Sequence, residues 1–216
     1  MKIKTPSLLL SVLLAAPAIG EAAIVSNGSF ENPLNSWTNT ASNYMAVASG
    51  STAITGWDVT NATGDGVAWA KSPTGDGFFP SNGTYFVDLS GFGTRAGPNA
   101  RLEQLLQNLV AGETYSVGID YWGDRATLAI GGNVIGTAGS ASSGWTPLTG
   151  SFVATGPQAL LTVGYLSNAS GVAFVDNLTV TGPEAGTTVG GTIPEPGSIA
   201  LLCAALGLLG AQRRRR

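Results

Sequence analysis

Glycine-containing turn pairs divide this chain into short segments, and their spacing limits the fold more than any other feature. Glycine makes up 31 of the 216 residues, and Asn-Gly or Asp-Gly pairs begin at positions 27, 65, 76 and 82. The segments between them are rich in β-branched and aromatic residues, and residues 115–121 alternate apolar with small or polar side chains. Short alternating segments joined by tight turns predict an all-β fold, an antiparallel β-sandwich.

Two further segments bear on this prediction. A Gly-Gly-Asn sequence at 131–133 separates the apolar runs 126–130 and 134–135, which predicts a β-hairpin. The leucines at 102, 105, 106 and 109 have helical spacing instead. Turn residues on both sides of these leucines leave little room for a helix.

The first 22 residues have the pattern of a secretory signal peptide. Two lysines precede the apolar run 8–16, and small residues occupy positions 20 and 22, just before a cleavage point at Ala23. A buried N-terminal helix is the alternative. We expect residues 1–22 to be a signal peptide and residues 23–181 to form the sandwich domain.

The C-terminal segment carries three signals in order. These are the motif Pro194, Glu195, Pro196, the uncharged stretch 199–211, and a final run of Arg213, Arg214, Arg215 and Arg216. As a helix the stretch would be roughly 20 Å long, shorter than the ~30 Å hydrocarbon core of a bilayer. The arginines would stay on the cytoplasmic side as a membrane stop. We expect a short membrane-span helix that is held transiently, with a permanent anchor as the alternative, and a flexible linker over 182–193.

Charge and residue types exclude several functions for the exported part. Residues 23–193 hold four basic and eleven acidic residues, a net charge of −7, which disfavours nucleic-acid binding. The chain has no histidine, and its one cysteine, Cys203, lies in the C-terminal apolar stretch. Histidine-based triads and an exported cysteine nucleophile are therefore ruled out. A carboxylate pair could hydrolyse glycosides, but no spacing singles one out, so we expect no catalytic activity.

The C-terminal segment resembles a PEP-CTERM sorting signal, because it joins a Pro-Glu-Pro motif, an apolar stretch and an arginine run. The resemblance implies export by a Gram-negative bacterium through the Sec translocon. It also implies an exosortase, a membrane peptidase that removes the segment. The protein would be tethered transiently to the inner membrane and then delivered to the cell surface or extracellular matrix.

The body resembles the galactose-binding-like jelly roll of carbohydrate-binding modules. The resemblance rests on NGSFE at 27–31, GW at 56–57, FVDLSG at 86–91, LVAGETYSVGIDY at 109–121, GWTPLTGSFVATG at 144–156 and VDNLTV at 175–180. It implies that the leucine-rich segment before residue 109 is a strand. Many such modules hold one structural calcium ion through an N-terminal Glu and a C-terminal Asp, which match Glu31 and Asp176 here.

The pattern around Asp176 also points to a special environment. Phe174, Asp176 and Leu178 share one strand face if the strand is regular, and that face is otherwise apolar. A carboxylate there must be protonated, hydrogen-bonded or metal-bound. An edge position or a capping hydrogen bond is the alternative to a calcium ligand.

Tryptophans are the candidate sugar-stacking residues. Trp57 and Trp145 match framework positions of the resemblance, so we expect both in the core. Trp69 and Trp122 are candidate stacking platforms, although core packing is open for each. If the strand over 115–121 stays regular, Trp122 faces opposite to Tyr115 and Tyr121. Asp124 and Arg125, next to Trp122, would bond sugar hydroxyls. We expect a non-catalytic polysaccharide-binding surface protein; a structural surface protein without a ligand and a glycan hydrolase are the alternatives.

Overall fold

The computed structural model describes residues 24–32, 37–63, 66–92, 100–138, 142–165 and 171–183. The predicted signal peptide, linker residues 184–193, the Pro-Glu-Pro motif and the arginine run lie outside these ranges. Within them the chain forms eleven strands, and no helix there is long and apolar enough to cross a membrane. The predicted membrane-span helix falls in the part that is not described.

The strands form two antiparallel sheets, which confirms the predicted sandwich. They are β1 (Tyr44–Val47), β2 (Asp58–Thr60), β3 (Val67–Lys71), β4 (Tyr85–Asp88), β5 (Arg101–Leu106), β6 (Thr114–Gly123), β7 (Ala126–Ile130), β8 (Asn133–Thr137), β9 (Ser142–Val153), β10 (Ala159–Tyr165) and β11 (Ala173–Thr181). One sheet has the order β1-β3-β4-β11-β6-β9 and the other β2-β5-β10-β7-β8. Successive strands pass repeatedly from one sheet to the other, so both sheets enclose one core.

Inward-facing side chains of both sheets make that core. Alternation along β6 points Tyr115, Val117 and Ile119 inward. Trp57, which is 1 % exposed, packs against Phe30 with ring centroids 5.6 Å apart. Its Nε1 donates to the Asn27 carbonyl at 3.0 Å, which satisfies the buried indole N–H. The prediction that Trp57 is a core residue is confirmed.

The leucine-rich segment is strand β5, as the resemblance implied. Leu102 and Leu106 are fully buried, whereas Leu105 is 48 % exposed. The segment pairs with β2 on one side and β10 on the other, so the ladder overrides its helical spacing. The Gly-Gly turn joins β7 to β8 as predicted, and both glycines have positive φ, at 55° and 85°.

A β-bulge in β11 overturns the prediction that Phe174, Asp176 and Leu178 share a face. The register with β6 shifts between Asp176 and Thr179, and Asn177 has a φ of 52°. The bulge adds one residue, so Leu178 packs in the core while Phe174 packs on the opposite side of the sheet. Asp176 therefore lies on the outer face.

Candidate functional site

A second apolar cluster covers the outer face of the six-stranded sheet. Ala68 and Ala70 of β3, Phe86 of β4 and Phe174 of β11 point away from the core and pack together with Tyr44 of β1. All five are buried. Apolar surface is stabilised by removal from water, so this face needs a cover.

The loop over residues 72–82 provides the cover. Its Phe78 packs edge-on against Phe174, with ring centroids 4.6 Å apart. Thr74 closes the loop, because its Oγ1 donates to the Phe78 carbonyl at 3.0 Å and accepts from the Phe78 N–H at 2.8 Å. The loop is thus held in place, and a cleft remains beside it.

A cleft of about 410 Å³ opens between this loop and residues 90–92. Ala68, Asp88 and Phe174 line it from the sheet, and Tyr44 and Phe92 line it from the sides. Ala68 decides its depth, because a methyl group stands where the outward position of β3 could have held a large side chain. We call this the outer-face cleft.

Tyr44 and Phe92 form the aromatic side of the cleft. Their rings are stacked, with centroids 6.0 Å apart and planes inclined by 27°. The Tyr44 hydroxyl donates to Asp76 Oδ1 at 2.9 Å. Burial, reinforced by the carboxylates of Asp76 and Asp88, raises the pKa of Tyr44 well above its ordinary value. The phenol therefore stays protonated and fixes the Asp76 carboxylate at the rim.

Asp88 places a second carboxylate on the cleft floor. Its side chain is only 5 % exposed. Oδ1 accepts from Ser90 N at 2.9 Å, from Ser90 Oγ at 2.6 Å and from Ala173 N at 3.2 Å. Hydrogen bonds to a charged acceptor are among the stronger ones in proteins, so this carboxylate is held in one orientation.

The cleft can hold a ligand that has both an apolar face and hydroxyl groups. Aromatic rings supply apolar contact, and the carboxylates and the Ser42 and Ser90 hydroxyls supply hydrogen-bonding groups. A combination of apolar contact and fixed polar groups is typical of small-molecule sites.

The structure corrects the prediction that Trp69 is a sugar-stacking platform. Trp69 is 0 % exposed and faces the core from β3, because the outward positions beside it are Ala68 and Ala70. Its indole N–H is buried without a hydrogen-bond partner. No ligand ring can reach this side chain in the folded protein.

Trp122 lies on the outer face, as alternation along β6 predicted, but at the centre of an aromatic group. Phe78, Phe79 and Phe174 contact it at centroid distances of 5.3, 5.7 and 6.1 Å. Trp145 contacts it at 6.0 Å. Trp145 is itself only partly buried and packs on this outer cluster, so the prediction that it belongs to the core between the sheets is wrong.

Asp124 and Arg125 lie beyond the end of β6 and do not line the outer-face cleft. Asp124 is 9 % exposed, and its Oδ1 accepts from the Arg125 N–H at 2.8 Å. Its Oδ2 is buried without a hydrogen-bond partner. The Arg125 side chain is exposed. The prediction that both residues bond a sugar stays a prediction.

Glu31 and Asp176 bind the same segment, the end of the 72–82 loop and the start of β4. Glu31 Oε1 accepts from the Thr84 and Tyr85 N–H groups, both at 2.7 Å. Asp176 Oδ2 accepts from Asn82 N at 2.9 Å. The two carboxylates that the resemblance pairs are thus brought to one short stretch of chain.

Asp176 is fully buried next to a second carboxylate, that of Asp120 on β6. Burial raises the pKa of Asp176 to about 7, although main-chain hydrogen bonds from Asn82 and Asn177 act in the opposite direction. The Ser81 hydroxyl lies 2.8 Å from Asp120 Oδ2 and 3.2 Å from Asp176 Oδ2. This contact fastens the loop to the sheet.

The donor set only partly fits a calcium ion. Carboxylate oxygens are the ligands that calcium prefers, and Glu31 and Asp176 supply them. The contacts they make here are with N–H and O–H donors, and the described residues contain no group of three or more His, Cys, Asp or Glu side chains that could hold a metal. Calcium therefore stays a prediction.

Sequence reasoning missed the residues that line the cleft. Tyr44, Asp76, Asp88 and Phe92 come from four separate segments, and none has a signal of its own. Ala68 and Ala70 on either side of Trp69 were the available clue, since two small outward residues leave space on a sheet face.

The C-terminal residues 192–216 match the model of the PEP-CTERM protein-sorting motif. The chain carries this sorting signal. The PEP-CTERM match covers the Pro-Glu-Pro motif, the apolar stretch and the arginine run, which confirms the resemblance stated for that segment.

The chain is also similar to a curated protein, Halomucin of Haloquadratum walsbyi (strain DSM 16790 / HBSQ001). The two are 31 % identical over 166 residues, which is 73 % of this chain. The chain spans about 2 % of the length of Halomucin.

Solved carbohydrate-binding modules are similar to the sandwich. TmCBM61 in complex with beta-1,4-galactotriose is 16 % identical, covers 76 % of this chain and 100 % of its own, and gives a TM-score of 0.48. Family 16 Carbohydrate Binding Module-2 is 15 % identical, covers 73 % and 99 %, and gives 0.44. A CBM4 structure is 15 % identical, covers 74 % and 99 %, and gives 0.40.

Proposed function

We propose that this protein is an exported surface protein that binds polysaccharide in the outer-face cleft and catalyses no reaction. The observation that carries the proposal is that one cleft combines the stacked Tyr44 and Phe92 rings with the carboxylates of Asp76 and Asp88.

A sugar ring matches both halves of this cleft. One face of a pyranose presents C–H groups, which pack on aromatic rings, and its rim presents hydroxyls, which donate to carboxylates. Asp88 is already held by three donors, so it loses little conformational freedom when a ligand binds. Asp124 and Arg125 are further predicted contacts outside the cleft.

A glycan array tests the proposal directly. The full-length chain, purified in a mild detergent, is compared with Ala68→Leu, which fills the cleft from its floor, and with Asp88→Asn, which keeps the shape but removes the charge. Ala129→Leu is the matched control, because it adds the same side chain to an outward position on the other sheet. We expect Ala68→Leu to abolish binding, Asp88→Asn to weaken it and Ala129→Leu to leave it unchanged.

Each alternative function has its own outcome in this experiment. If no glycan binds the unaltered chain, a structural surface protein without a ligand is the better description. If Ala68→Leu binds as well as the unaltered chain, the site lies elsewhere. A glycan that is bound and shortened, with new reducing ends, would make the protein a hydrolase.

The PEP-CTERM motif supports a proposed route to the surface. A signal peptide over 1–22 directs the chain to the Sec translocon, and the segment 199–211 tethers it briefly to the inner membrane. An exosortase then cuts at or near residues 194–196, and the body is released to the cell surface or matrix of a Gram-negative bacterium.

The intact mass of the protein in each fraction of its host tests this route. A secreted species that starts near Ala23 and ends near Pro196 supports it. A membrane-bound species that keeps the four C-terminal arginines would show that the segment is a permanent anchor.

A further inference from the structure

Several large apolar side chains of the described ranges are exposed, and Phe79 is the aromatic one among them. It is 56 % exposed and lies in the 72–82 loop, directly after Phe78, which covers the sheet. The exposed part of this ring is available for contact with a ligand.

The main chain at Phe79 is restrained, and the exposed ring packs on a neighbouring ring. Trp145 Nε1 donates to the Phe79 carbonyl at 2.9 Å. The ring also contacts Trp122 at 5.7 Å with an interplanar angle of 65°, and Trp122 is itself packed against Phe78 and Phe174. A ring held in this way loses little entropy when a ligand stacks on it.

Phe79 lies on the same face of the molecule as the outer-face cleft. Phe174 lines the cleft, and its ring centroid is 6.1 Å from that of Trp122, which in turn contacts Phe79. The 72–82 loop contributes to both places, with Gly75 and Asp76 at the cleft and Phe79 on the other side. The cleft and the exposed ring therefore lie on the same face of the sheet, joined by packed aromatic rings and by the 72–82 loop.

We propose that Phe79 is a second sugar-stacking subsite beside the cleft, and that the ligand is an extended glycan chain and not a single sugar. This inference rests on the proposed function. The cleft, with its carboxylates, selects the sugar that enters it. The Phe79 side chain has no polar group. It therefore packs on the C–H face of a later sugar in the glycan and does not select among sugars by their hydroxyls.

Oligosaccharide ladders test the inference. The full-length chain and its variants are titrated calorimetrically with cello-, xylo-, galacto- and chito-oligosaccharides, from single sugars to hexamers. Phe79→Ala is the test variant. Val134→Ala is the matched control, since Val134 is 61 % exposed on the other sheet. Ala68→Leu marks the loss of the cleft itself.

The expected result depends on chain length. Phe79→Ala should leave the affinity for single sugars and dimers unchanged and lower the affinity for the longest bound oligomers about tenfold. Val134→Ala should leave the affinity for short and long oligomers unchanged, and Ala68→Leu should abolish binding of both.

Three outcomes would overturn the inference. If Phe79→Ala equals the unaltered chain at every length, Phe79 is no subsite and the cleft alone binds the glycan. If it weakens short and long oligomers equally, it acts by positioning the loop. If the unaltered chain binds no member of any ladder, the proposed function fails together with the inference.

Discussion

Glu31 offers a substitution that separates a hydrogen-bond anchor from a metal ligand. Its Oε1 accepts two main-chain N–H groups at 2.7 Å, from Thr84 and Tyr85. Glu31→Gln keeps a carbonyl oxygen of the same reach but removes the charge. Glu31→Ala removes the acceptor and leaves both N–H groups without this partner.

The magnitudes follow from the number and type of bonds. A hydrogen bond to a charged acceptor contributes about 1.5–3 kcal/mol and a neutral one about 1 kcal/mol. These bonds are part-buried, so the lower end applies. Glu31→Ala should therefore lower the free energy of unfolding by about 3 kcal/mol, and Glu31→Gln by about 1 kcal/mol.

Urea unfolding followed by tryptophan fluorescence measures the free energy of unfolding. Measured in chelator it reports the hydrogen-bond contribution of Glu31, and measured again with added calcium it reports any calcium contribution. In chelator we expect the unaltered chain to be more stable than Glu31→Gln and Glu31→Ala to be least stable. If Glu31 also binds calcium, the ion stabilises the unaltered chain by mass action, and Glu31→Gln loses most of that gain.

The hydrogen-bond anchor and the calcium site at Glu31 can be refuted separately. Equal losses in Glu31→Gln and Glu31→Ala would refute the claim that the two N–H bonds anchor the segment. An unaltered chain whose stability is the same with chelator and with calcium would refute the calcium prediction and leave the anchor intact.

Three further predictions concern stability. The first concerns pH and is measured in chelator. When the pH is raised from about 5 to about 8, the unaltered chain should lose about 3 kcal/mol more of its free energy of unfolding than the Asp176→Asn variant does. The cause is that the folded state keeps a proton on Asp176 up to a pKa of about 7 while the unfolded state releases it near 3.8; parallel pH curves would contradict this. In urea unfolding, Trp57→Phe should lower the free energy of unfolding by about 1–2 kcal/mol more than Trp69→Phe does, because only the Trp57 indole gives up a hydrogen bond. Equal losses in the two variants would contradict this prediction. Gly28→Ala should destabilise the fold, since its Cβ would lie 2.0 Å from the Leu178 carbonyl oxygen, whereas Gly144→Ala meets nothing within 4 Å; similar melting temperatures for the two variants would disprove the clash.

Local features of the sequence predicted the parts of the fold that depend on neighbours along the chain. The alternation over 115–121 placed Trp122 on the outer face, and the Gly-Gly turn fixed the β7–β8 hairpin. The bulge at Asn177 was missed, because one extra residue leaves no clear mark in an alternating pattern. That single residue puts Asp176 and Leu178 on opposite sides of the sheet.

The cleft could not be predicted in this way because it depends on long-range register. Asp88 and Phe174 become neighbours only through the pairing of β4 with β11, and Tyr44 meets Phe92 across the same sheet face. Trp69 shows the converse: the sequence leaves it as a candidate stacking platform, whereas Ala68 and Ala70 face outward and the indole faces the core.

The 72–82 loop joins the stability of the sheet to the shape of the site. Its Phe78 covers the apolar outer face, and Ser81 contacts the carboxylates of Asp120 and Asp176. The same loop carries Asp76, which accepts from Tyr44 at the cleft rim. Because one loop both covers the face and borders the cleft, the contacts that hold it down also fix where a ligand can enter. The cleft is therefore the space that remains between the loop, closed by Thr74, and residues 90–92, with Ala68 in its lining.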